Sequence, residues 1–182
     1  AGEGVTVMVG DGEYPVSSVI MLDKDITLVS TNGPDKTTLL PGKAGNFQLV
    51  NLSDPEAFLG GFTLRDSVSQ AVGMAGGGTV SNCVFRGNSG KNNTPNGKGG
   101  SAIYVSGAGN LVTHCVITNN QPLGVRVSSG TIRNSVIANN SGTGAITAGA
   151  CVDGGTMVHC TVYGNVGTDT DSGYGQYGVG GI

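Results

Sequence analysis

Four short phrases in this 182-residue sequence contain residue types that could bind a metal or act as a nucleophile. Two of the phrases place a histidine directly before a cysteine, and both residue types serve in zinc sites and in nucleophilic catalysis. The phrases are NCVFRGN (82–88), HCVITNN (114–120), NSVIANN (134–140) and HCTVYGN (159–165). Whether the chain does chemistry depends first on why the same phrase recurs.

The recurrence indicates a structural repeat. The first residue of each phrase is Asn or His, the second is Cys or Ser, and the last is always Asn. Because Asn82 and Asn134 take the same position as His114 and His159, we expect no histidine-specific role. The two imidazoles should lie two coils apart, about 10 Å at the usual strand spacing, which is too far for one shared metal.

Apolar residues at fixed offsets from the Cys/Ser position predict stacked β-strands. They lie three residues before it and two after it, at Val80, Val112, Ile132 and Met157, and at Phe85, Ile117, Ile137 and Val162. GFTLRDS (61–67) is a weaker copy, with Phe62 and Leu64 in the inward places. The Cys/Ser positions recur at intervals of 32, 20 and 25 residues, and units of this length must stack on neighbours to bury their apolar faces.

Each column of the repeat has a predicted place. The Cys/Ser column should face the interior, and the Asn/His column should form a hydrogen-bonded side-chain ladder at the bend before it. The position before the last Asn fits a bend that needs positive φ, where Gly and Asn are tolerated; it holds Gly87, Asn119, Asn139 and Gly164.

Composition agrees with one all-β domain over residues 1–182, a solenoid of about seven coils or a segment of a longer one. The 34 glycines disfavour helices, and no apolar run is long enough to span a membrane. Residues 67–152 contain no Asp or Glu and only dispersed cations, which do not make a nucleic-acid site.

The cysteines are expected to be free, buried thiols that behave as small apolar residues. Cys83 and Cys115 should lie on neighbouring coils, but parallel Cβ directions aim their sulfurs poorly for a disulfide. Cys151 lies outside the column, and a Cys151–Cys160 disulfide remains the alternative.

Together these phrases resemble the right-handed parallel β-helix proteins of the pectin-lyase-like superfamily. Residues 9–39 look like the first coils of such proteins, and GFTLRDS is similar to the strand phrase that follows. The alternation of GGSAI and GTGAI with FRGN, ITNN and IANN resembles the repeats of polymorphic outer-membrane proteins, which are bacterial surface adhesins. The resemblance implies a right-handed single-stranded β-helix and an extracellular or cell-surface location of bacterial type.

One segment is similar to an enzyme of that superfamily. QAVGM (70–74) followed by NCVFRGN resembles the pectin methylesterase region in which QAVAL precedes C-x-F-x-G-Y-Q-D-T-L. Gln70 then matches the first glutamine, whereas the second glutamine falls on Ser89 and the first catalytic aspartate on Gly90. The second catalytic aspartate belongs within 67–152, which has no carboxylate, so the resemblance implies the fold without esterase chemistry.

Other chemistries of this fold also need acids. Glycoside hydrolysis uses two carboxylates, and calcium-dependent lyases use an acidic cluster with a Lys or Arg base. Asp23 and Asp25 flank one bend, and DTDSG (169–173) has the spacing of a calcium loop, but two carboxylates are a weak ligand set and solvated turns are favoured. Acids from different coils could still converge. We expect no metal and no cofactor.

Two segments depart from the repeat. SGKNNTPNGKGG (89–100) lengthens one coil, and because such excursions often carry recognition, Lys91, Asn92, Asn93 and Lys98 are candidates for binding a glycan or an acidic surface. A plain surface loop is the alternative. GYGQYGVGGI (173–182) looks like the first strand of another coil, so we expect either a longer parent chain or self-association through an open coil end.

The sequence therefore favours a non-catalytic, extracellular or cell-surface module. Such a module would be an adhesin segment, stalk or filament subunit that presents loops to a glycan or a protein. The alternative is a polysaccharide-active enzyme of the same fold: a lyase, a hydrolase or a pectin-esterase-like protein.

Overall fold

In the computed structural model, three sheets of parallel strands wind around a common axis, and the coils contribute one strand to each sheet in turn. The structure describes residues 4–43, 47–89, 100–143, 148–168 and 178–179. Strands β1 to β23 are numbered along the chain. Sheets A and B contain seven parallel strands each, which confirms the expected number of about seven coils.

The strands have the following bounds. Sheet A contains, in spatial order, β1 (Val5–Val9), β4 (Ile26–Ser30), β7 (Phe58–Gly60), β10 (Thr79–Ser81), β13 (Leu111–Thr113), β16 (Thr131–Arg133) and β20 (Thr156–Val158). Sheet B contains β2 (Gly12–Val16), β5 (Thr37–Pro41), β8 (Thr63–Arg65), β11 (Val84–Arg86), β14 (Val116–Thr118), β17 (Val136–Ala138) and β21 (Thr161–Tyr163). Sheet C contains β3 (Ile20–Leu22), β6 (Val50–Leu52), β9 (Val72–Met74), β12 (Ser101–Val105), β15 (Leu123–Val127), β19 (Ala150–Val152) and β23 (Gly178–Val179). A two-stranded sheet pairs β18 (Ser141–Thr143) with β22 (Val166–Thr168).

The core lies between the three sheets and is built from columns of stacked apolar side chains. Each sheet supplies in-register rows that are fully buried: Leu59, Val80 and Val112 in sheet A; Leu64, Phe85 and Ile117 in sheet B; Val72, Ile103 and Val125 in sheet C. Phe62 is also fully buried, as predicted for the weaker copy of the repeat. These inward rows include β-branched and aromatic residues, which suit a pleated, buried surface.

From the third coil onward, two bends in each coil hold the backbone in the left-handed region. The predicted bend between sheets B and C is confirmed, with positive φ at Gly87, Asn119, Asn139 and Gly164, and also at Asp66 of the weaker copy. The bend between sheets A and B makes the same demand at Gly61, Asn82, His114, Asn134 and His159. Gly carries no penalty there, and Asn, Asp and His are the residues most often found with positive φ.

The asparagine ladder exists, but the predicted column was wrong. Asn82 and Asn134 are exposed at the first bend, and the ladder is instead formed by the last residue of each phrase, at Asn88, Asn120, Asn140 and Asn165. Burial explains the difference. At this corner a buried backbone N–H lies outside the hydrogen bonding between strands, and it must find another partner inside the protein.

Each ladder asparagine satisfies several buried groups at once. The Oδ1 of Asn120 accepts hydrogen bonds from the backbone N–H of Asn88 at 3.1 Å and from its Nδ2 at 2.9 Å. The Nδ2 of Asn120 donates to the carbonyl of Phe85 at 3.0 Å and to Asn140 Oδ1 at 2.9 Å. Asn140 repeats the pattern with Asn165 on the last coil. An amide side chain fits because it carries both a donor and an acceptor.

The last strand differs from the prediction of another parallel coil. Within 173–182, β23 pairs with β19 in the antiparallel sense, with Val179 opposite Ala150 and Gly178 opposite Cys151. This strand therefore closes the edge of sheet C and does not extend the winding of the coils. The reversal has no counterpart in the repeat, so its phrases could not predict it.

The ladder generates a stability prediction. Replacing Asn120 by Ala leaves buried donors on Asn88 and buried acceptors on the adjacent coils without partners, so we expect a loss of about 3 to 5 kcal/mol in the free energy of unfolding. The matched control is Asn119→Gly, since Asn119 is exposed with φ of 55° and glycine accepts that conformation. Urea unfolding followed by circular dichroism measures the free energy of unfolding of both variants. A small loss of similar size in the two variants would contradict the stabilising role of the ladder.

Candidate functional site

Two cysteines of the repeat, Cys83 and Cys115, are buried thiols, and Cys160 on the last coil is half-buried. All four cysteines of the chain are free, as expected, and Cys83 and Cys115 are each 1% exposed. Burial raises the pKa of Cys83 to about 12 and also raises the pKa of Cys115. The Sγ of Cys115 lies 3.2 Å from the Thr113 carbonyl, and its backbone N–H donates to Ser135 Oγ at 3.1 Å. The interior Cys/Ser column is thus confirmed as packing.

The histidines act as bend residues. His114 and His159 are exposed, with φ of 53° and 51°, like the asparagines that share their column. His114 Nδ1 lies 2.9 Å from the hydroxyl of Thr113. Within the described ranges, no three His, Cys, Asp or Glu side chains come close enough to hold a metal ion.

Acidic side chains from different coils converge on arginines in two places. On the outer face of sheet B, Arg65 is paired with its neighbour Asp66 and, through Nη2, with Glu13 Oε1 at 2.8 Å. Arg65 thereby links coils that are far apart in sequence. On sheet C, Arg126 is paired with Asp153 of the next coil. Among the described residues, the acids from other coils at these two places, Glu13 and Asp153, are paired with arginine.

The outer face of sheet C carries a row of planar polar groups, which we name the polar strip: Gln48, Asn51, Tyr104, Arg126 and Asp153. Parallel register aligns Asn51, Gly73, Tyr104, Arg126 and Cys151 along the coil axis, with about 4.8 Å between neighbours. Their strand neighbours on both sides, such as Ile103 and Val105, point into the core. The strip therefore lies on a rigid support.

Gly73 makes room for one member of the strip. The Gln48 amide lies across the Gly73 Cα, so that a Cβ at this position would come within 2.7 Å of Gln48 Oε1. Gln48 Nε2 donates to the carbonyl of Val50 at 2.8 Å and to Asn51 Oδ1 at 3.0 Å. The two amides are thus held side by side, with the Gln48 amide over Gly73, the strand neighbour of Tyr104.

Arg126 is half-buried, Asp153 is exposed, and the two are tightly paired. Arg126 Nε donates to Asp153 Oδ2 at 3.1 Å, and Nη2 bonds to the same oxygen. Partial burial alone would raise the pKa of Asp153, but hydrogen bonds from Arg126 and Ser128 and the charge of Arg126 outweigh it, so the pKa is lowered. Asp153 is therefore an ionised carboxylate at neutral pH.

The residues predicted from the sequence lie in different places. Lys91, Asn92, Asn93 and Lys98, together with Gly90, lie outside the described residues. The flanks of their segment are described: Ser89 forms a parallel bridge with Gln121, and the Gly100 carbonyl accepts a hydrogen bond from Leu123 N–H at 3.3 Å. The segment thus leaves and rejoins the coils at the entry to sheet C.

Sequence reasoning did not find the polar strip. Tyr104 and Arg126 hold the same position in SAIYV (101–105) and LGVRV (123–127). Aligning the outward positions of these two strands in the sequence could have identified both residues. Of the other predicted residues, Gln70 lies two residues before the start of β9, and Asp23 lies exposed in the turn between β3 and β4. DTDSG (169–173) lies outside the described residues.

The buried thiols predict a loss of stability at high pH. In the unfolded chain they ionise near their ordinary pKa, whereas folded Cys83 stays protonated up to about pH 12, so stability falls as pH rises from about 9 toward 12. Each buried thiol should contribute up to about 1.4 kcal/mol per pH unit in that range. Urea unfolding between pH 8 and 11 should therefore show a shallower decline for Cys83→Ser/Cys115→Ser than for wild type. Identical pH slopes would contradict this role of the thiols.

The fold agrees with a comparison against known families. A family described as right-handed β-helix region matches residues 60–180, about two thirds of the chain. Searches of curated proteins and of solved structures found no significant match. Among the described residues, no helix is long and apolar enough to cross a membrane. With its parallel sheets and stacked coils, the chain belongs to the right-handed β-helix family.

Proposed function

We propose that this chain is a non-catalytic module of an extracellular or cell-surface protein, and that it binds a glycan through the polar strip. The observation that carries the proposal is the in-register placement of Tyr104 between the Gln48–Asn51 amides and the Arg126–Asp153 pair. The cell-surface location rests on the resemblance of the repeats to those of surface adhesins.

The side chains of the strip match the chemistry of a sugar. A pyranose ring has an apolar face, which packs on an aromatic ring, and hydroxyl groups that both donate and accept hydrogen bonds. Amide, guanidinium and carboxylate groups satisfy such hydroxyls from fixed directions. Because the strip stands on sheet C, little conformational entropy is lost when a ligand binds.

Binding without turnover is favoured by the state of the reactive groups. The Cys83 and Cys115 thiols are buried with raised pKa values, and the histidines are exposed bend residues. Glycoside hydrolysis needs a general acid of raised pKa, whereas the pKa of Asp153 is lowered. A polysaccharide-active enzyme remains the second candidate, because Asp153 supplies a carboxylate on the strip.

Two further features belong to this proposal. Residues 89–100 begin and end beside sheet C, so Lys91, Asn92, Asn93 and Lys98 are proposed as additional contacts to the glycan or to a protein partner.

Association of copies through coil ends is the second feature. Light scattering over a range of concentrations tests it, and a monomer at all concentrations would remove it.

The glycan proposal predicts a specific loss of binding. Tyr104→Ala removes the aromatic surface of the strip, so we expect at least about a tenfold loss of affinity for glycans that the wild type binds on a glycan array. Tyr163→Ala is the matched control, since Tyr163 is 48% exposed on β21 of sheet B.

Lyase, hydrolase and esterase assays on the same polymers complete the experiment. Turnover by the wild type would favour the enzyme. Equal binding by wild type and Tyr104→Ala would contradict the use of the strip.

A further inference from the structure

We infer that the polar strip selects neutral sugars and discriminates against uronic acids. The inference rests on the proposed function and names its ligand class. The two classes differ at one position, where a hexose carries a hydroxymethyl group and the corresponding uronic acid carries an ionised carboxylate. Discrimination between them is therefore a question of charge at the strip.

The charge of the strip is compensated internally. Arg126 supplies the positive charge and Asp153 supplies a negative charge in direct contact with it. The other members of the strip are two amides and a phenol, which carry no formal charge. Cys151, which lies next to Arg126 in the same column, stays a neutral thiol because burial raises its pKa. The described strip therefore has no net charge.

The Arg126–Asp153 pair treats the two ligand classes differently. The Asp153 side chain is 32% exposed, twice the 16% of Arg126, so the carboxylate is the more accessible of the two groups. A sugar hydroxyl donates a hydrogen bond to that carboxylate. A uronate carboxylate has no proton to donate at neutral pH and is repelled by the Asp153 carboxylate at contact distance.

Pre-existing bonds strengthen the selection. Nε and Nη2 of Arg126 already bond to Asp153, so a bidentate bond from these atoms to an incoming carboxylate would require the pair to break. Breaking it would separate the Asp153 carboxylate from its cation. Hydroxyl groups of a neutral sugar can bind beside the intact pair.

Matched oligosaccharides of equal length test the inference: glucan with glucuronan, galactan with galacturonan, and mannan with mannuronan. Calorimetric titration of the full chain should give at least about tenfold tighter binding for the neutral member of the preferred pair. Equal or tighter binding of the uronate would overturn the inference and leave the proposed function standing. No binding to any of the six would overturn both.

Asp153→Asn provides the opposite change. It removes the negative charge of Asp153 from beside the guanidinium of Arg126, so affinity for the uronate member should rise about tenfold while affinity for the neutral member falls. Glu13→Gln is the matched control, because Glu13 pairs with Arg65 on sheet B and its loss should change neither affinity. An unchanged preference in Asp153→Asn would overturn the inference.

A measurement on the wild type keeps the test valid if Asp153→Asn does not fold. Binding of the preferred oligosaccharide should change less than about twofold between low and high salt, because no net charge is neutralised. A strong weakening with salt would show that an anionic ligand is held by charge and would overturn the inference.

Discussion

Satisfaction of buried backbone amides at the corner between sheets B and C is the constraint on which this structure depends. Parallel strands can wind into a narrow coil only if the chain turns sharply, and each turn takes an N–H out of the strand ladder inside the protein. The side chains of Asn88, Asn120, Asn140 and Asn165 meet that need, since each accepts from the backbone of the preceding coil and the first three also donate to the asparagine of the next coil. The coils are thus joined at this corner by side chains as well as by strand pairing.

The stacking of coils explains why histidine and cysteine recur in this chain in structural positions. The histidines occupy a left-handed bend, and the thiols fill a column where Phe62 and Ser135 also fit. Regular stacking places every outward residue of sheet C in line with its counterparts on neighbouring coils. A rigid row such as the polar strip follows from the same register that builds the core.

Much of the fold could be predicted from the sequence, because each column repeats its residue type. The inward positions of Phe85, Ile117 and Ile137 and the left-handed bends at Asn119 and Asn139 follow from local pattern alone. The ladder was assigned to the wrong column because Asn occurs at both ends of the phrase, and burial, which decides between the ends, is a tertiary property.

The candidate site was less predictable for two physical reasons. Arg126 and Asp153 are 27 residues apart, so their pairing depends on coil register and on Asp153 lying just beyond the acid-free segment. Gln48 reaches the strip only because Gly73 lacks a side chain. The antiparallel β23 is a single event outside the repeat, which a repeating pattern does not encode.

Hydrogen exchange of asparagine side-chain amides, measured by nuclear magnetic resonance, tests the central claim most directly. The account predicts that the Nδ2 protons of Asn88, Asn120 and Asn140 exchange only when the whole domain unfolds. The Nδ2 protons of exposed Asn82 and Asn134 should exchange at the rate of free amides. Fast exchange at Asn120, equal to that at Asn82, would contradict the claim that these side chains hold the coils together.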